Sequence, residues 1–219
     1  MHCETITYKN YTIKISQDEY PNDPREWDNL GTMICFHNKY DLGDRHDYNS
    51  SDFNNWNELK AQIVKDCDPC VIFPLYLYDH SGITISHHGF SYCDPAGWDW
   101  GGVGFHLVSK QKVRKEYGVK KISKKLHEKI IRVLESEIQT YNDCLTGSVF
   151  YYNIENDDGE SIDSCSGFLG SNFEDNGLLE NAKGAIDYYI ESKRKDRQNK
   201  LKILVRNRVP LNKRSTLCT

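Results

Sequence analysis

The stretch Val71–Ser86, VIFPLYLYDHSGITIS, decides how this chain is read. Two apolar runs, Val71 to Tyr78 and Ile83 to Ser86, flank the turn-forming Asp79-His80-Ser81-Gly82, so the segment reads as an antiparallel β-hairpin. Working outward, Val103 to Val108 adds a strand downstream, while Tyr11 to Ser16 and Leu30 to His37 supply two upstream. A polar connection follows the second of these, and Asp52 is positioned to cap a helix reaching about Asp66, with Phe53, Trp56, Leu59, Ala61 and Ile63 on one face.

Two longer helical patterns dominate the second half. Ile122, Leu126, Ile130, Leu134, Ile138, Tyr141 and Leu145 recur at helical spacing and stop at Thr146-Gly147. Leu178, Ala182, Ile186 and Ile190 trace a second stripe that starts after Asn176-Gly177 and runs to about Gln198. Between them, Ser148 to Glu155 turns at Asp157-Asp158-Gly159 and returns as Ser161 to Leu169; Lys202 to Val209 is expected as a last strand ending at Pro210. The expected class is α+β, a mainly antiparallel sheet with two long helices packed on it. The 219 residues are read as one domain, with 173–219 as a helix-strand extension.

A 12% aromatic content with 27% charged residues and a mean hydropathy of −0.70 describes a folded, polar chain. The longest apolar run has eight residues and contains Pro74, far below the roughly 20 that a membrane helix needs, so no membrane partner is expected. The start, MHCETITYKN, has neither the basic nor the apolar part of a secretory signal, which predicts a cytoplasmic location and free thiols at the eight cysteines. Cys67-Asp-Pro-Cys70 has CxxC spacing but no second pair with which to complete a zinc site.

Charge is segregated. The formal net charge is −4, yet 109–133 and 183–214 each carry +8, against 27 acidic and seven basic side chains in the rest. The second helix has Glu174, Asp175 and Glu180 near its start and Lys193, Arg194, Lys195 and Arg197 near its end, which suits the helix dipole. The first run is reversed: Lys120, Lys121, Lys124 and Lys125 crowd the positive end of their helix, an arrangement that an anionic partner relieves.

Chemistry-bearing residues concentrate in Tyr76–His106, which holds four of the eight histidines, three aspartates and six glycines. Asp79 and His80 are candidates for an acid/base pair, and Asp79, His80, Asp99 and His106 for a divalent metal set; no other cofactor is indicated. His87 and His88, if on a strand, point to opposite faces. Trp98 and Trp100 in GWDWGG are candidates for stacking on a partner. Phosphate-loop and serine-nucleophile motifs are absent.

YPNDPREWDNLGTMICFHNKYDLGD (Tyr20–Asp44), PLYLYDHSGIT (Pro74–Thr84), WDWGGVGF (Trp98–Phe105), YNDCLTGSVF (Tyr141–Phe150) and DSCSGFLG (Asp163–Gly170) resemble segments of accessory proteins encoded by tailed bacteriophages and prophages. The resemblance covers most of the chain but carries no established activity and no catalytic residues. It implies a bacterial host cytoplasm and action on a host protein or ribonucleoprotein complex, such as an anti-CRISPR-type inhibitor that blocks a nucleic-acid-targeting defence. Two further expectations stand beside it: a metal-dependent nuclease or nucleotide hydrolase centred on Asp79 and His80, and direct nucleic-acid binding through the basic helix.

Overall fold

Eight strands and four helices make the α+β architecture of this computed structural model, which describes residues 2–214. The strands are β1 (His2–Tyr8), β2 (Tyr11–Gln17), β3 (Thr32–Cys35), β4 (Pro69–Asp79), β5 (Ile83–Ser86), β6 (Trp100–Ser109), β7 (Val149–Glu155) and β8 (Ser161–Leu169). The helices are α1 (Trp56–Cys67), α2 (Lys110–Tyr117), α3 (Lys124–Leu145) and α4 (Leu178–Arg206), with a last helical turn at Leu211–Arg214. The chain forms two compact units, residues 20–148 and a discontinuous unit of residues 2–19 with 149–214. Each has its own four-stranded sheet, antiparallel throughout: β1-β2-β7-β8 in the discontinuous unit and β3-β6-β4-β5 in the other. Cys35, Cys67, Cys70, Cys93 and Cys165 are free thiols, and Cys218 lies outside the described residues.

In the discontinuous unit, Lys9 and Asn10 both take positive φ (49° and 67°), giving the two-residue turn that joins β1 to β2. The sequence pattern did not reveal β1, whose ETITY alternation is short and polar. Alternate residues of β2 and β7 (Ile13, Ile15, Phe150, Tyr152, Ile154) face the α4 stripe Leu178, Ala182, Ile186, all of them buried. The expected strand at Lys202–Val209 is instead the end of α4 and its exit. From Leu178 to Arg206 no proline interrupts the helix, so it propagates until Arg208 (φ 54°) and Pro210 stop it; the weak strand preference of Ile203 and Val205 does not outweigh that continuity.

In the other unit the sheet is covered on both faces. Phe105 and Leu107 of β6 with Ile34 of β3 meet Leu59 and Ile63 of α1, while Val108 and Val71 meet Ile130 and Leu134 of α3. Leu75, Leu77 and Val103 continue the second face against Ile138 and Tyr141. The pairing register shifts between Leu75/Gly104 and Tyr76/Gly102, which turns Val103 to the α3 side. Three boundaries differ from expectation. The α1 cap is Asn55, which accepts from the Asn57 and Glu58 N–H groups, and Asp52 sits in a preceding 3-10 turn. Residues Lys110–Tyr117 form α2, too short for its periodicity to register. Ser123 caps α3, leaving Lys120 and Lys121 in the connection ahead of it.

Two glycines test this packing with opposite signs. A Cβ on Gly104 would lie 1.9 Å from the Ile34 carbonyl oxygen, whereas one on Gly184 of α4 meets nothing within 4 Å. Urea denaturation should find Gly104→Ala destabilised by about 1–3 kcal/mol through overpacking and Gly184→Ala stabilised by about 0.5–1 kcal/mol through helix propensity.

Candidate functional site

Where β6 ends, Ser109 Oγ accepts from Lys112 N and starts α2; Gly118 in the left-handed conformation (φ 62°) ends it. Val113 is fully buried against Val71 and Val108, so α2 is anchored by its apolar side and turns its charged side outward. The connection then returns to Ser123, whose Oγ accepts from Leu126 N. This short helix-loop-helix gathers Lys110, Arg114, Lys120, Lys121, Lys124 and His127 around a cavity of about 580 Å³ with Cys70 in its wall.

Compensation within the cleft is slight. Lys110 pairs with Asp68 at 2.6 Å, but among the described residues Arg114, Lys120, Lys121 and Lys124 have no carboxylate partner. The first turn of α3 has no acidic side chain, so its exposed N–H groups and positive dipole end add to the same field. Burial pushes the Cys70 thiol up, while the charges of Lys110 and Arg114, which line the same cavity, pull it the other way. His127 Nε2 lies 3.3 Å from the Cys70 carbonyl oxygen, and the Lys129 ammonium sits over the Tyr117 ring, tying α3 to α2. Lys125 follows Lys124 on α3 but does not line the cavity. The run of lysines was legible in sequence; Arg114, Cys70 and His127 join it only because α2 folds back over the start of β4. Cys67 and Cys70 pack into different apolar clusters, Cys67 with α1 and Cys70 with α3, so the CxxC pair is not one site.

The opposite end of β4 carries the acidic turn. Asp79 N donates to Asp99 O (2.8 Å), His80 Nδ1 lies 3.1 Å from Asp99 Oδ2, and Tyr40 Oη donates to Asp79 at 3.2 Å. Lys39 donates to the Tyr40 hydroxyl; that bond and the nearby Asp79 charge push its ammonium up. Asp79, His80 and Asp99 therefore do come together, as a hydrogen-bonded knot that ties the hairpin to the start of β6.

His106 does not join them, so the four-residue metal set is corrected. It pairs with Phe73, six positions before Asp79 on β4, which is about 20 Å along the strand. Fully buried on the α3 side, it donates from Nε2 to Glu137 Oε2 at 2.9 Å. Glu137 also accepts from Leu30 N (2.7 Å) and Gly31 N (3.0 Å). No three His, Cys, Asp or Glu side chains are placed to share a cation among the described residues.

His87 and His88 also depart from expectation. They follow the last residue of β5 instead of lying within it, and their rings meet with centroids 3.7 Å apart. Burial, then His88, pushes the His87 imidazole down, with Glu135 acting against this. Trp100 is half buried, donates from Nε1 to Asp94 O and packs on Tyr76, so it anchors the 89–99 loop; Trp98 is 86% exposed. Both lie at the end of β6 away from the cleft.

No family model, curated protein or solved structure matches this chain. No described helix is long and apolar enough to cross a membrane.

The Glu137 tie has a pH signature. Burial pushes its carboxyl up, but the bond from His106 and the two backbone N–H groups pull it down further, to a net position below 4.5. A depressed carboxylate contributes stability that is complete above the unfolded value and fades as pH falls through the folded one. Glu137→Gln should therefore cost about 1–3 kcal/mol at neutral pH and flatten the loss of stability below about pH 4.5, as read by thermal melts across an acid series.

Proposed function

We propose that this chain is a binding protein that holds an anionic face of a macromolecular partner in the cleft between α2 and α3. The supporting observation is the set of cations around the cavity, Arg114, Lys120, Lys121 and Lys124, that have no carboxylate partner among the described residues and surround a helix start with no acidic side chain in its first turn. Each lysine near the positive end of α3 costs up to about 1 kcal/mol in the free protein. An incoming phosphate or carboxylate removes that cost and releases counterions, so binding is favoured electrostatically and weakened by salt.

The resemblance to phage accessory proteins points to the partner: a host protein or ribonucleoprotein complex of the defence apparatus, modulated or inhibited by occupation of its charged surface. Such an inhibitor acts by stoichiometric masking and needs no catalytic group. The Asp79–His80–Asp99 knot does not enter this reading.

The test is retention of a partner from defence-competent bacterial lysate by the tagged protein, followed across a salt series with and without nuclease. The triple change Lys120→Glu, Lys121→Glu, Lys124→Glu should lower affinity for the retained partner at least about tenfold at low salt and shrink the salt dependence by about one unit of slope per lost phosphate contact. A partner held equally well by the reversed variant would sink the cleft as the binding face. Loss of retention after nuclease treatment would reassign the partner to nucleic acid itself.

A further inference from the structure

On the other face of the same sheet, α1 leaves a second opening. Trp56 is the first residue of α1, and its indole lies over Gly102 of β6, with Nε1 3.6 Å from the point where a Cβ would stand. Phe105 and Phe36 brace the ring edge-on, at centroid distances of 5.9 and 6.1 Å and interplanar angles of 70° and 68°. The indole is thus fixed by its neighbours although Trp56 remains 42% exposed. Tyr76 and Phe105 close a slot of about 340 Å³ beside it, with Asn57 and Lys60 of α1 at its polar margin. That volume lies at the lower end of the range for small-molecule sites.

The polar groups of the slot are unspent. The Trp56 Nε1–H, the Tyr76 hydroxyl, the Asn57 amide and the Lys60 ammonium have no hydrogen-bond partner among the described residues. All four can donate, and no carboxylate lines the slot. The floor has the same character. Since β3 pairs with β6 only from Gly104 to Leu107, Trp100 to Gly102 have β4 on one side and no strand on the other. A ligand for this slot is planar, to lie against rigid aromatic walls; rich in acceptors, to meet the donors; and negatively charged, to meet Lys60 without an opposing acid.

We infer that the slot between Trp56 and Tyr76 binds a nucleotide, with the base against the aromatic walls and the phosphate at Lys60. A free mononucleotide and one unstacked residue of a single strand present this same chemistry. Base stacking on a protein aromatic ring tolerates sequence, so discrimination among bases is modest and falls to Asn57 and the Tyr76 hydroxyl. The site shares no lining residue with the α2–α3 cleft and stands independently of the function proposed for it.

The experiment is isothermal titration of the full chain with the four nucleoside 5′-monophosphates, the matching nucleosides, inorganic phosphate and a five-residue single-stranded RNA. Saturable nucleotide binding is expected, weakened about ten- to hundredfold by Trp56→Ala and about tenfold by Lys60→Ala. Trp56→Phe should retain most of the affinity, and the Lys120/Lys121/Lys124 charge reversal should leave it unchanged. Tighter binding of the oligonucleotide than of any monophosphate would identify a strand as the source; the reverse would identify a free nucleotide. Absence of saturable binding to every probe overturns the assignment, as does affinity unaltered by both Trp56→Ala and Lys60→Ala in variants that melt like the parent. Inorganic phosphate binding as tightly as the nucleotides would also overturn it, because the ring would then contribute nothing.

Discussion

Because β4 pairs with β6 from Pro69–Ser109 to Tyr78–Trp100, one antiparallel ladder fixes where everything else in the 20–148 unit is placed. Its Pro69 end delivers Ser109 to cap α2 and Cys70 to the wall of the basic cleft; its Tyr78 end brings Asp99 onto Asp79 and His80. Its two faces are equally committed. Residues that alternate toward α3 form an apolar layer that includes the polar pair His106 and Glu137, while Phe105 on the α1 side is buried and Tyr76 is left partly uncovered beyond the 12-residue α1. The bulge opposite Leu75 and Tyr76 lets Val103 join the core and leaves Gly102 beneath Trp56.

The His106–Glu137 contact does more than fill a gap in that apolar layer. Glu137 binds His106 on the sheet and the Leu30 and Gly31 N–H groups of the adjoining loop, so it sets both the rotation and the axial position of α3. A purely apolar interface tolerates sliding more readily than one in which a buried carboxylate has specific donors to satisfy. Glu137 stands 13 residues after Lys124, about 20 Å along the helix. A displacement at the tie is therefore carried to the cationic start of α3. The same loop is held from its other side by Arg25, whose guanidinium is nearly inaccessible and meets Asp44 at 2.9 and 2.6 Å. Gly31 has no side chain because His106 and Glu137 occupy the space that one would need.

Much of this architecture was legible in the sequence where a period ran long enough to be counted. The 22-residue α3 and the apolar start of α4 stood out by helical spacing, and the β4–β5 hairpin by two apolar runs around Asp-His-Ser-Gly. Short elements escaped. Strand β1 has a polar alternation that does not stand out from a loop, and α2 holds just two turns with Val113 as its one buried side chain. Local β preference at Ile203 and Val205 misled because a helix already under way needs a breaker to stop it, and none precedes Arg208 and Pro210. Site residues are less legible, because pairing register and not proximity in sequence decides which of them meet. His106 is near Asp99 along the chain, but on β6 it sits opposite Phe73, far down the ladder from the turn. The aromatic slot left no sequence signal: Trp56 fits the apolar face of α1, and its exposure depends on what β6 lacks beneath it.

The two +8 runs show why a count of charges decides little without geometry. Along α4, Glu180 occupies the first turn and Arg206 the last, a distribution the helix dipole favours, and Lys195 pairs loosely with Glu191 at 3.7 Å. Its cations are spread along a helix of 29 residues and do not converge on one cavity. In α2 and α3 a run of equal charge is folded back on itself. The cations that α4 would space along a rod converge instead on one cavity, at the end of a helix that already repels them. Folding has concentrated positive potential there at a cost to the free protein, one that an anion in the cleft would offset.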